Sequence, residues 1–447
     1  MIRIVLPSKV ETILNTLRGA GHEAYVVGGC VRDSLLGRTP GDWDITTSAP
    51  PEAVQRLFRR TVATGIKHGT VTVMLGKEGF EVTTYRSDGV YSDGRHPDSV
   101  SFVSTLQEDL SRRDFTVNAM AYSPEKGLID LFGGTSDLKE KRIRAVGDPK
   151  ERFTEDALRM LRAVRFCAQL GFGIEYETFA AIRLLALRLR LVSKERIREE
   201  LSKLLLSDHP EYFEILVNAG LTAVIMPRFE EMLATPQHSP FHIYDVGHHT
   251  LEVLKACPAT LLQRLTALLH DAGKTEARRT DENGIDHFKG HPALSAVYAE
   301  EFLRDLRYDN KTVEQVTHLV EVHDIRVKPT LPNVRRLIGR VGEELFPDFL
   351  TFIQADNQGK SPLSHLEFKP RYEGLCRAYR EIQENRDALS LKDLAVRGSD
   401  LIAAGVKPGK ELGAILNVML EDVLDEPQHN TKDYLLARYS GLIKGKE

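Results

Sequence analysis

The sequence predicts an α+β protein in which a small mixed α/β module precedes a long, all-helical region. Up to about residue 125, short β-rich runs such as 71–75 and 80–85 alternate with helical stretches. From residue 152 onward strand-like runs almost disappear, and amphipathic helices follow one another at 155–170, 176–190 and 194–206, separated by Gly and Pro. A chain of 447 residues is long enough for about two to four domains.

The composition is that of an ordinary globular protein, with 42% hydrophobic and 28% charged residues. No apolar run approaches the roughly 18 residues of a membrane span and no secretory signal is evident, so we expect a cytoplasmic protein without membrane contact. The four cysteines lie far apart without a Cys-x-x-Cys pair, which predicts buried free thiols. The net charge of −4 does not exclude nucleic acid, because basic residues are concentrated at 139–144 and 183–198.

The first module opens with a strand, a Gly-Gly turn and a helix. The apolar run 24–27 predicts the strand, and residues 31–36 predict the helix. Gly28 and Gly29 allow the backbone to approach a phosphate, which the helix N-terminus attracts. Arg32 adds a fork-shaped cation to this anion-binding turn.

Two carboxylates follow this turn at close range. Asp42 and Asp44 are two residues apart, so an extended backbone would place both side chains on one face. A pair of carboxylates in this arrangement can hold Mg²⁺ at a triphosphate. Together with the Gly-Gly turn, the pair predicts an in-line displacement at phosphorus, which is the chemistry of nucleotidyl transfer.

Two later segments carry charged groups suited to a nucleotide. Arg112 and Arg113 stand beside Asp114, a combination that suits a triphosphate and ribose hydroxyls respectively. Asp156 and Arg159 lie three residues apart on a predicted helix, so they share one face and offer an acceptor beside a donor. Cytosine and adenine both present an exocyclic amine next to a ring-nitrogen acceptor. This pair therefore predicts selection of C and A.

These motifs together resemble those of class II tRNA nucleotidyltransferases, closely over residues 20–200. The motifs that carry the resemblance are Gly28-Gly29-x-x-Arg32, Gly41-Asp42-Trp43-Asp44, 64–70, Arg112-Arg113-Asp114, 130–134 and 155–159. The resemblance implies a polymerase-β-like head, tRNA as partner, CTP and ATP as substrates and Mg²⁺ as cofactor. The site residues it implies are Asp42 and Asp44 for magnesium, Gly28, Gly29 and Arg32 for the triphosphate, Arg113 and Asp114 for triphosphate and ribose, Asp156 and Arg159 as the template for the base, and Arg196 with Glu199 as a brace of the neck helix.

Within this family the sequence favours complete CCA addition. Bacterial poly(A) polymerases carry an Arg-rich signature where this chain has residues 67–70. CC-adding relatives lack a flexible loop that 85–97, with Asp93 and Arg95, supplies here. The loop does not separate a complete enzyme from an A-adding one. A third catalytic carboxylate stays open, with Glu81 as the candidate.

A second set of ligand-type residues lies in the later helices and resembles the HD superfamily over residues 241–365. Its members are His249, His270, Asp271, His291, His323 and Asp356. Imidazoles and carboxylates suit a divalent metal that activates water for phosphoester hydrolysis. Six ligands predict room for two ions of unknown identity, and His248 is the alternative to His249.

We therefore expect four parts along the chain. They are a nucleotidyltransferase head at 1–130, a base-selecting and tRNA-binding neck at 131–240, an HD domain at 241–365 and a tRNA-binding helical body and tail at 366–447. The favoured function is addition of C, C and A to tRNA. The alternative from another class is an HD phosphohydrolase acting on nucleotides or RNA ends. A non-catalytic tRNA-binding protein is disfavoured because both metal constellations are complete, and no protein partner is implied.

Overall fold

The computed structural model describes residues 3–65, 69–88 and 100–443. The chain forms two compact units, Met1–Pro227 and Arg228–Glu447. The predicted loop residues Asp93 and Arg95 lie outside the described ranges, as do residues 67 and 68 of the 67–70 segment. The division into four parts stays a prediction.

The first unit is built on a seven-stranded mixed sheet. Its strands, with two additional short pairs, are β1 (Ala24–Val27), β2 (Ile45–Thr47), β3 (Thr61–Gly65), β4 (Thr70–Leu75), β5 (Glu78–Thr84), β6 (Arg86–Asp88), β7 (Val100–Phe102), β8 (Met120–Ser123), β9 (Gly127–Asp130), β10 (Arg142–Ile143) and β11 (Gly173–Ile174). The order across the sheet is β3-β4-β5-β2-β1-β8-β9. β2 pairs with β5 in parallel, and the other neighbours are antiparallel.

Eleven helices accompany these strands in the described part of the first unit. They are α1 (Ser8–Gly19), α2 (Gly29–Leu35), α3 (Pro51–Leu57), α4 (Leu106–Ser111), α5 (Gly134–Lys139), α6 (Pro149–Glu155), α7 (Leu158–Leu170), α8 (Tyr176–Leu185), α9 (Lys194–Leu205), α10 (Phe213–Asn218) and α11 (Thr222–Ile225). Short 3₁₀ turns lie at Thr116–Asn118, Ala186–Leu191 and Pro210–Tyr212. The helices after β9 carry only the two-residue pair β10–β11, so the predicted α+β class is confirmed.

The sheet brings residues from three of its strands, β1, β2 and β5, together at one edge. All four residues of β1 are buried, and α1 packs near this strand with buried Val10, Ile13, Leu14 and Leu17 at helical spacing. In the antiparallel β1–β2 pair Val26 faces Ile45, so the end of β1 lies beside the start of β2. In the parallel β2–β5 pair Ile45 faces Val82. Residues 28, 44 and 81 therefore meet at this edge.

The second unit is helical except for the hairpin of β12 (Arg279–Thr280) and β13 (Asp286–His287). Its helices are α12 (Arg228–Leu233), α13 (Val246–Ala256), α14 (Leu261–Leu269), α15 (Lys274–Ala277), α16 (His291–Asp305), α17 (Asn310–Val322), α18 (Leu331–Val341), α19 (Phe346–Gln358), α20 (Pro362–Asn385), α21 (Gly398–Ala403), α22 (Lys410–Asp425), α23 (Lys432–Arg438) and α24 (Ser440–Ile443), with 3₁₀ turns at Leu391–Asp393 and Pro427–His429. Helices α13, α14, α16, α17 and α19 pack around a polar centre.

The last helices have an apolar core of their own. Leu401, Met419, Val423 and Leu435 are buried in it. Arg335 of α18 forms a buried ion pair of 2.6 Å with Asp387 and donates to the carbonyl of Leu424, which joins α18 to α22. No helix among the described residues combines the length and apolar character that a membrane span needs.

Candidate active site and metal centre

The turn between β1 and α2 lies at the sheet edge where residues 28, 44 and 81 meet. Gly28 has φ +83, a left-handed conformation that glycine adopts without the strain of a side chain. A Cβ atom added there would lie 3.0 Å from Arg113 Nη1, so this guanidinium lies directly over the turn. Arg113 reaches this position from the segment after α4, where Asp109 Oδ2 lies 3.7 Å from its Nη2. The predicted anion-binding turn and Arg113 are thus neighbours.

Three carboxylates gather beside this turn. Asp44 immediately precedes β2, and the parallel register of β2 and β5 puts Glu81 next to it on the adjoining strand. Burial raises the pKa of Asp44 to about 6, and the negative charges of Asp42 and Glu81 contribute, while Arg113 acts in the opposite direction. Three carboxylates thus lie near one guanidinium, and carboxylate oxygens fit a site for divalent cations.

Asp114 is the hub of a hydrogen-bond network behind the turn. Its Oδ2 accepts from Nε and Nη2 of Arg162 at 2.9 and 2.7 Å, and its Oδ1 accepts from the amide of Asn118 at 3.1 Å. Asn118 in turn accepts from Arg32 Nη1 at 2.7 Å. Burial alone would raise the pKa of Asp114, but Arg162 and Asn118 outweigh it and bring the pKa down to about 2. Asp114 is thus a firmly ionised link between Arg162 and Arg32.

The expectation that Asp156 and Arg159 share one helix face is wrong. Asp156 has φ −140 and ψ 104, so the predicted helix 155–170 breaks there into α6 and α7. The break has a local cause, because the Asp156 carboxylate accepts the N–H of Leu158 at 3.0 Å and caps the new helix. Arg196 Nη2 lies 2.8 Å from Asp156 Oδ2, so Arg196 pairs with Asp156.

Arg159 faces a different set of partners. It forms an ion pair with Glu155 and donates to the carbonyl oxygens of Arg152 at 3.0 Å and Arg112 at 3.2 Å. Arg112 itself forms an ion pair with Asp109 at 2.8 Å. The residues predicted as a base template therefore lie near one another in the chain but are oriented by separate neighbours.

The six predicted HD residues come together in the second unit. They are His249 of α13, His270 and Asp271 after α14, His291 at the start of α16, His323 after α17 and Asp356 of α19, and all six are buried. His249 Nε2 lies 3.1 Å from Asp356 Oδ1 and 3.4 Å from His270 Nε2. His291 Nε2 lies 3.3 Å from both His323 Nε2 and Asp271 Oδ1.

Asp271 stands between two groups of possible ligands. The first group is His249, His270 and Asp271, and the second is Asp271, His291 and His323; in each group the ligand atoms lie within 4.8 Å of one another. Its Oδ2 lies 3.2 Å from His270 Nε2, whereas its Oδ1 faces His291. Asp271 would therefore be a ligand in either group, and Lys274 Nζ lies 2.7 Å from its Oδ2 as an additional positive charge.

Hydrogen bonds at Nδ1 explain why the four imidazoles direct their Nε2 atoms toward the centre of the cluster. Each Nδ1 lies 2.7–3.0 Å from a backbone carbonyl, with Gly359, Ala267, Phe288 and Val320 as acceptors for His249, His270, His291 and His323. A carbonyl only accepts, so each Nδ1 carries a proton, and a ring that is neutral presents its Nε2 lone pair to the centre. Burial lowers the pKa of His249 and lowers that of His323 to about 3, which keeps these two rings neutral near pH 7. Burial would also lower the pKa of His270, but Asp271 and Asp356 outweigh it and raise this pKa in the absence of a bound cation. Facing lone pairs fit a bound cation.

One residue near this centre, His242, had no signal in the sequence. It lines a cavity beside the cluster, and its ring contacts that of His249 edge to face at 5.9 Å. Burial lowers the pKa of His242 to about 2, and the positive charge of Lys274 contributes. His248, the predicted alternative to His249, is half exposed and pairs with Asp245 at 2.6 Å, outside the cluster.

Three family models match the chain. The poly A polymerase head domain matches residues 24–144, the probable RNA and SrmB-binding site of polymerase A matches 171–233, and the putative tRNA nucleotidyltransferase domain 2 matches 291–438. None of these descriptions names an HD domain, so the HD resemblance stays a prediction.

Similar proteins extend over nearly the whole chain. The CCA-adding enzyme of Levilactobacillus brevis is 38% identical over 97% of this chain and 98% of its own. That of Lactobacillus helveticus is also 38% identical, over 95% and 94% respectively. The crystal structure of the Bacillus stearothermophilus CCA-adding enzyme in complex with CTP is similar with a TM-score of 0.73 and 30% identity, over 97% of this chain and 98% of that one.

Proposed function

The chain belongs to the family of CCA-adding enzymes, and on that premise we propose that it extends tRNA 3′ ends by C, C and A from CTP and ATP. In each step the 3′-hydroxyl oxygen of the tRNA forms a bond to the α-phosphorus of the nucleotide. The bond from that phosphorus to the β-phosphate oxygen breaks, and pyrophosphate leaves. The observation that carries the proposal is the meeting of three carboxylates with the Gly28 turn and Arg113 at one sheet edge.

Asp42 and Asp44 would hold the metal of this reaction, with Glu81 as the third carboxylate. Mg²⁺ is the ion we propose, because carboxylate oxygens suit a small, hard cation. The raised pKa of Asp44, which comes from burial and from the nearby charges of Asp42 and Glu81, supports this assignment. When bound, such ions stabilise the charge that develops on the attacking and leaving oxygens.

The other side chains bind and select the nucleotide. Arg113 and the turn at Gly28–Gly29 are placed to receive the triphosphate, with Arg32 fixed next to them by Asn118. Asp156 and Arg159 serve as the base template, with an acceptor and a donor whose positions Arg196 and Glu155 hold.

The test is extension of a tRNA transcript that lacks CCA, with products resolved at single-nucleotide length. With Mg²⁺ and both nucleotides we expect three additions; two additions and no A would indicate a CC-adding enzyme, and a long A ladder a poly(A) polymerase. Asp44→Asn should abolish addition because it removes a metal ligand. Glu78→Gln, an exposed carboxylate on the same strand as Glu81, is the matched control and should leave addition unchanged.

A second function is supported by the histidine cluster of the second unit. We propose that this cluster is an HD centre that binds one or two divalent metal ions and hydrolyses phosphoesters of nucleotides or RNA ends. The supporting observation is that four buried Nε2 atoms and two carboxylates converge while every Nδ1 faces a carbonyl. When bound, ions at such a centre activate water for attack on phosphorus.

Metal content distinguishes this function from a purely structural cluster. After incubation with Mn²⁺ and gel filtration, the wild-type chain should retain one to two Mn²⁺ ions. Inductively coupled plasma mass spectrometry measures this metal content. Asp271→Asn should lose most of them, because Asp271 lies in both ligand groups. His248→Ala removes an exposed histidine next to His249 and should retain the wild-type content. Equal metal content in all three proteins would argue against the HD centre.

A further inference from the structure

A cavity of about 250 Å³ opens beside the histidine cluster. Its wall contains two of the proposed metal ligands, His323 and Asp356, and three cationic side chains, Arg326, Lys360 and Arg371. A small enclosure with cations next to a metal centre is suited to an anion that reaches the metals through it. The three cations differ in how their charge is already used.

Two of the cations have carboxylate partners. Lys360 pairs with Asp356, which is itself a proposed ligand. Arg326 is largely exposed, and its Nη2 lies 2.9 Å from Asp324 Oδ1. The positive charge of these two side chains is therefore balanced within the protein, and neither needs a further anion.

Arg371 is the exception among the described cations of this cavity. It is half-buried on α20, and its guanidinium carbon lies 5.6 Å from the centre of the Phe368 ring. No described carboxylate lies within ion-pair distance of its guanidinium, although Asp324 and Asp356 are near enough to raise its pKa against burial and the charge of Arg326. A guanidinium stays charged in proteins, so a half-buried one without a partner favours an anionic ligand.

We propose that Arg371 binds the phosphate group of the substrate at this metal centre and that this substrate is a phosphate monoester. This assignment rests on the hydrolase function proposed above. A guanidinium presents two parallel N–H groups that match two oxygens of one phosphate. A monoester carries about two negative charges near pH 7 and a diester only one, so the monoester gains more from an unpaired cation.

The test measures inorganic phosphate binding to the full chain loaded with Mn²⁺, by isothermal titration calorimetry. Arg371→Ala should weaken phosphate binding at least about tenfold, which corresponds to about 1.4 kcal/mol. Arg377→Ala is the matched control, since it removes an exposed arginine from the same helix, and it should change the affinity less than twofold. Both variants should retain the wild-type Mn²⁺ stoichiometry, because neither residue is a ligand.

Hydrolysis of a chromogenic substrate gives the second measurement. For p-nitrophenyl phosphate, Arg371→Ala should raise KM more than it lowers kcat, and Arg371→Lys should recover part of the KM because it keeps the charge. Bis(p-nitrophenyl) phosphate should be a poorer substrate of the wild type, and its KM should change little in Arg371→Ala. Equal phosphate affinity of wild type and Arg371→Ala, both with Mn²⁺ bound, would overturn the assignment of Arg371 alone. A wild-type chain that binds no Mn²⁺ would overturn the hydrolase function and this assignment together.

Discussion

Removing the guanidinium of Arg162 should destabilise the first unit through Asp114. In the Arg162→Met variant Asp114 stays buried but loses two charged hydrogen bonds of 2.7 and 2.9 Å. The pKa of Asp114 is about 2 in the folded chain against an ordinary value of 3.8, a difference of about 1.8. At about 1.36 kcal/mol for each unit of pKa, this difference corresponds to about 2.4 kcal/mol of stability at pH 7. We expect the variant to lose an amount of this order, because Arg162 is the main group that lowers this pKa and its removal leaves the buried charge with only the weaker support of Asn118 and Arg159.

The pH dependence of this loss identifies its cause. A depressed pKa contributes stability that is present above pH 3.8 and is lost as the pH falls toward 2. The difference between wild type and variant should therefore be largest near neutral pH and should shrink between about pH 4 and pH 2. Trp43 is the single tryptophan and lies in the first unit, so its fluorescence during urea unfolding reports on this unit.

Two further variants make the reasoning refutable. Arg183→Met removes an exposed arginine of α8 and should cost little at any pH. Adding Asp114→Asn to Arg162→Met removes the uncompensated charge and should restore part of the lost stability. If Arg162→Met unfolded at the same urea concentration as Arg183→Met, or if its deficit did not change with pH, the buried pair would not stabilise this unit as described.

Three other predictions concern the nucleotide site. Gly28→Ala should raise the KM for CTP more than Gly37→Ala does. Both glycines have positive φ, but only at Gly28 would the new Cβ contact a side chain, that of Arg113 at 3.0 Å. Equal KM values for the two variants would contradict this prediction. Arg159→Ala should relax discrimination of CTP from UTP more than it weakens binding of the triphosphate, and unchanged discrimination in primer extension would argue against its template role. Mg²⁺ binding should weaken as the pH falls through about 6, where Asp44 gains a proton. Glu81→Gln should move the midpoint of this pH dependence to lower pH, because it removes a negative charge near Asp44. Titration calorimetry at several pH values measures the midpoint, and an unchanged midpoint in the variant would show that Glu81 is remote from Asp44.

Local patterns in the sequence predicted the parts of the site that one short segment builds. The strand, the Gly-Gly turn and the helix of 24–36 are consecutive, so their order in the sequence is also their order in space. Glu81 could only be named as a candidate, because its place beside Asp44 depends on the register of β2 with β5. That register joins strands separated by more than 30 residues and has no signature in either strand alone.

The same limit explains the error at Asp156. The periodicity of 155–170 is helical on both sides of this residue, so it predicted one continuous helix. An aspartate also caps helices well, and here its carboxylate accepts hydrogen bonds from the N–H of Leu158 and from the guanidinium of Arg196, 40 residues further on.

The sequence gives even less indication of the position of Arg371. It shows no unusual spacing in the sequence, and only its half-buried place in the wall of the cavity distinguishes it from Arg377 and Arg380 of α20, which are exposed.

The acceptor capacity of Asp114 bears on the ribose-binding role that the resemblance implies for this residue. An ionised carboxylate offers about four acceptor positions. In the described structure the backbone N–H of Phe115, the amide of Asn118 and two N–H groups of Arg162 fill them, at 2.7–3.1 Å. A ribose hydroxyl could bind Asp114 directly only by displacing one of these donors, and the two charged ones are the strongest. In this conformation Asp114 therefore fixes Asn118 and with it the guanidinium of Arg32, and we expect its effect on a bound nucleotide to pass through these neighbours.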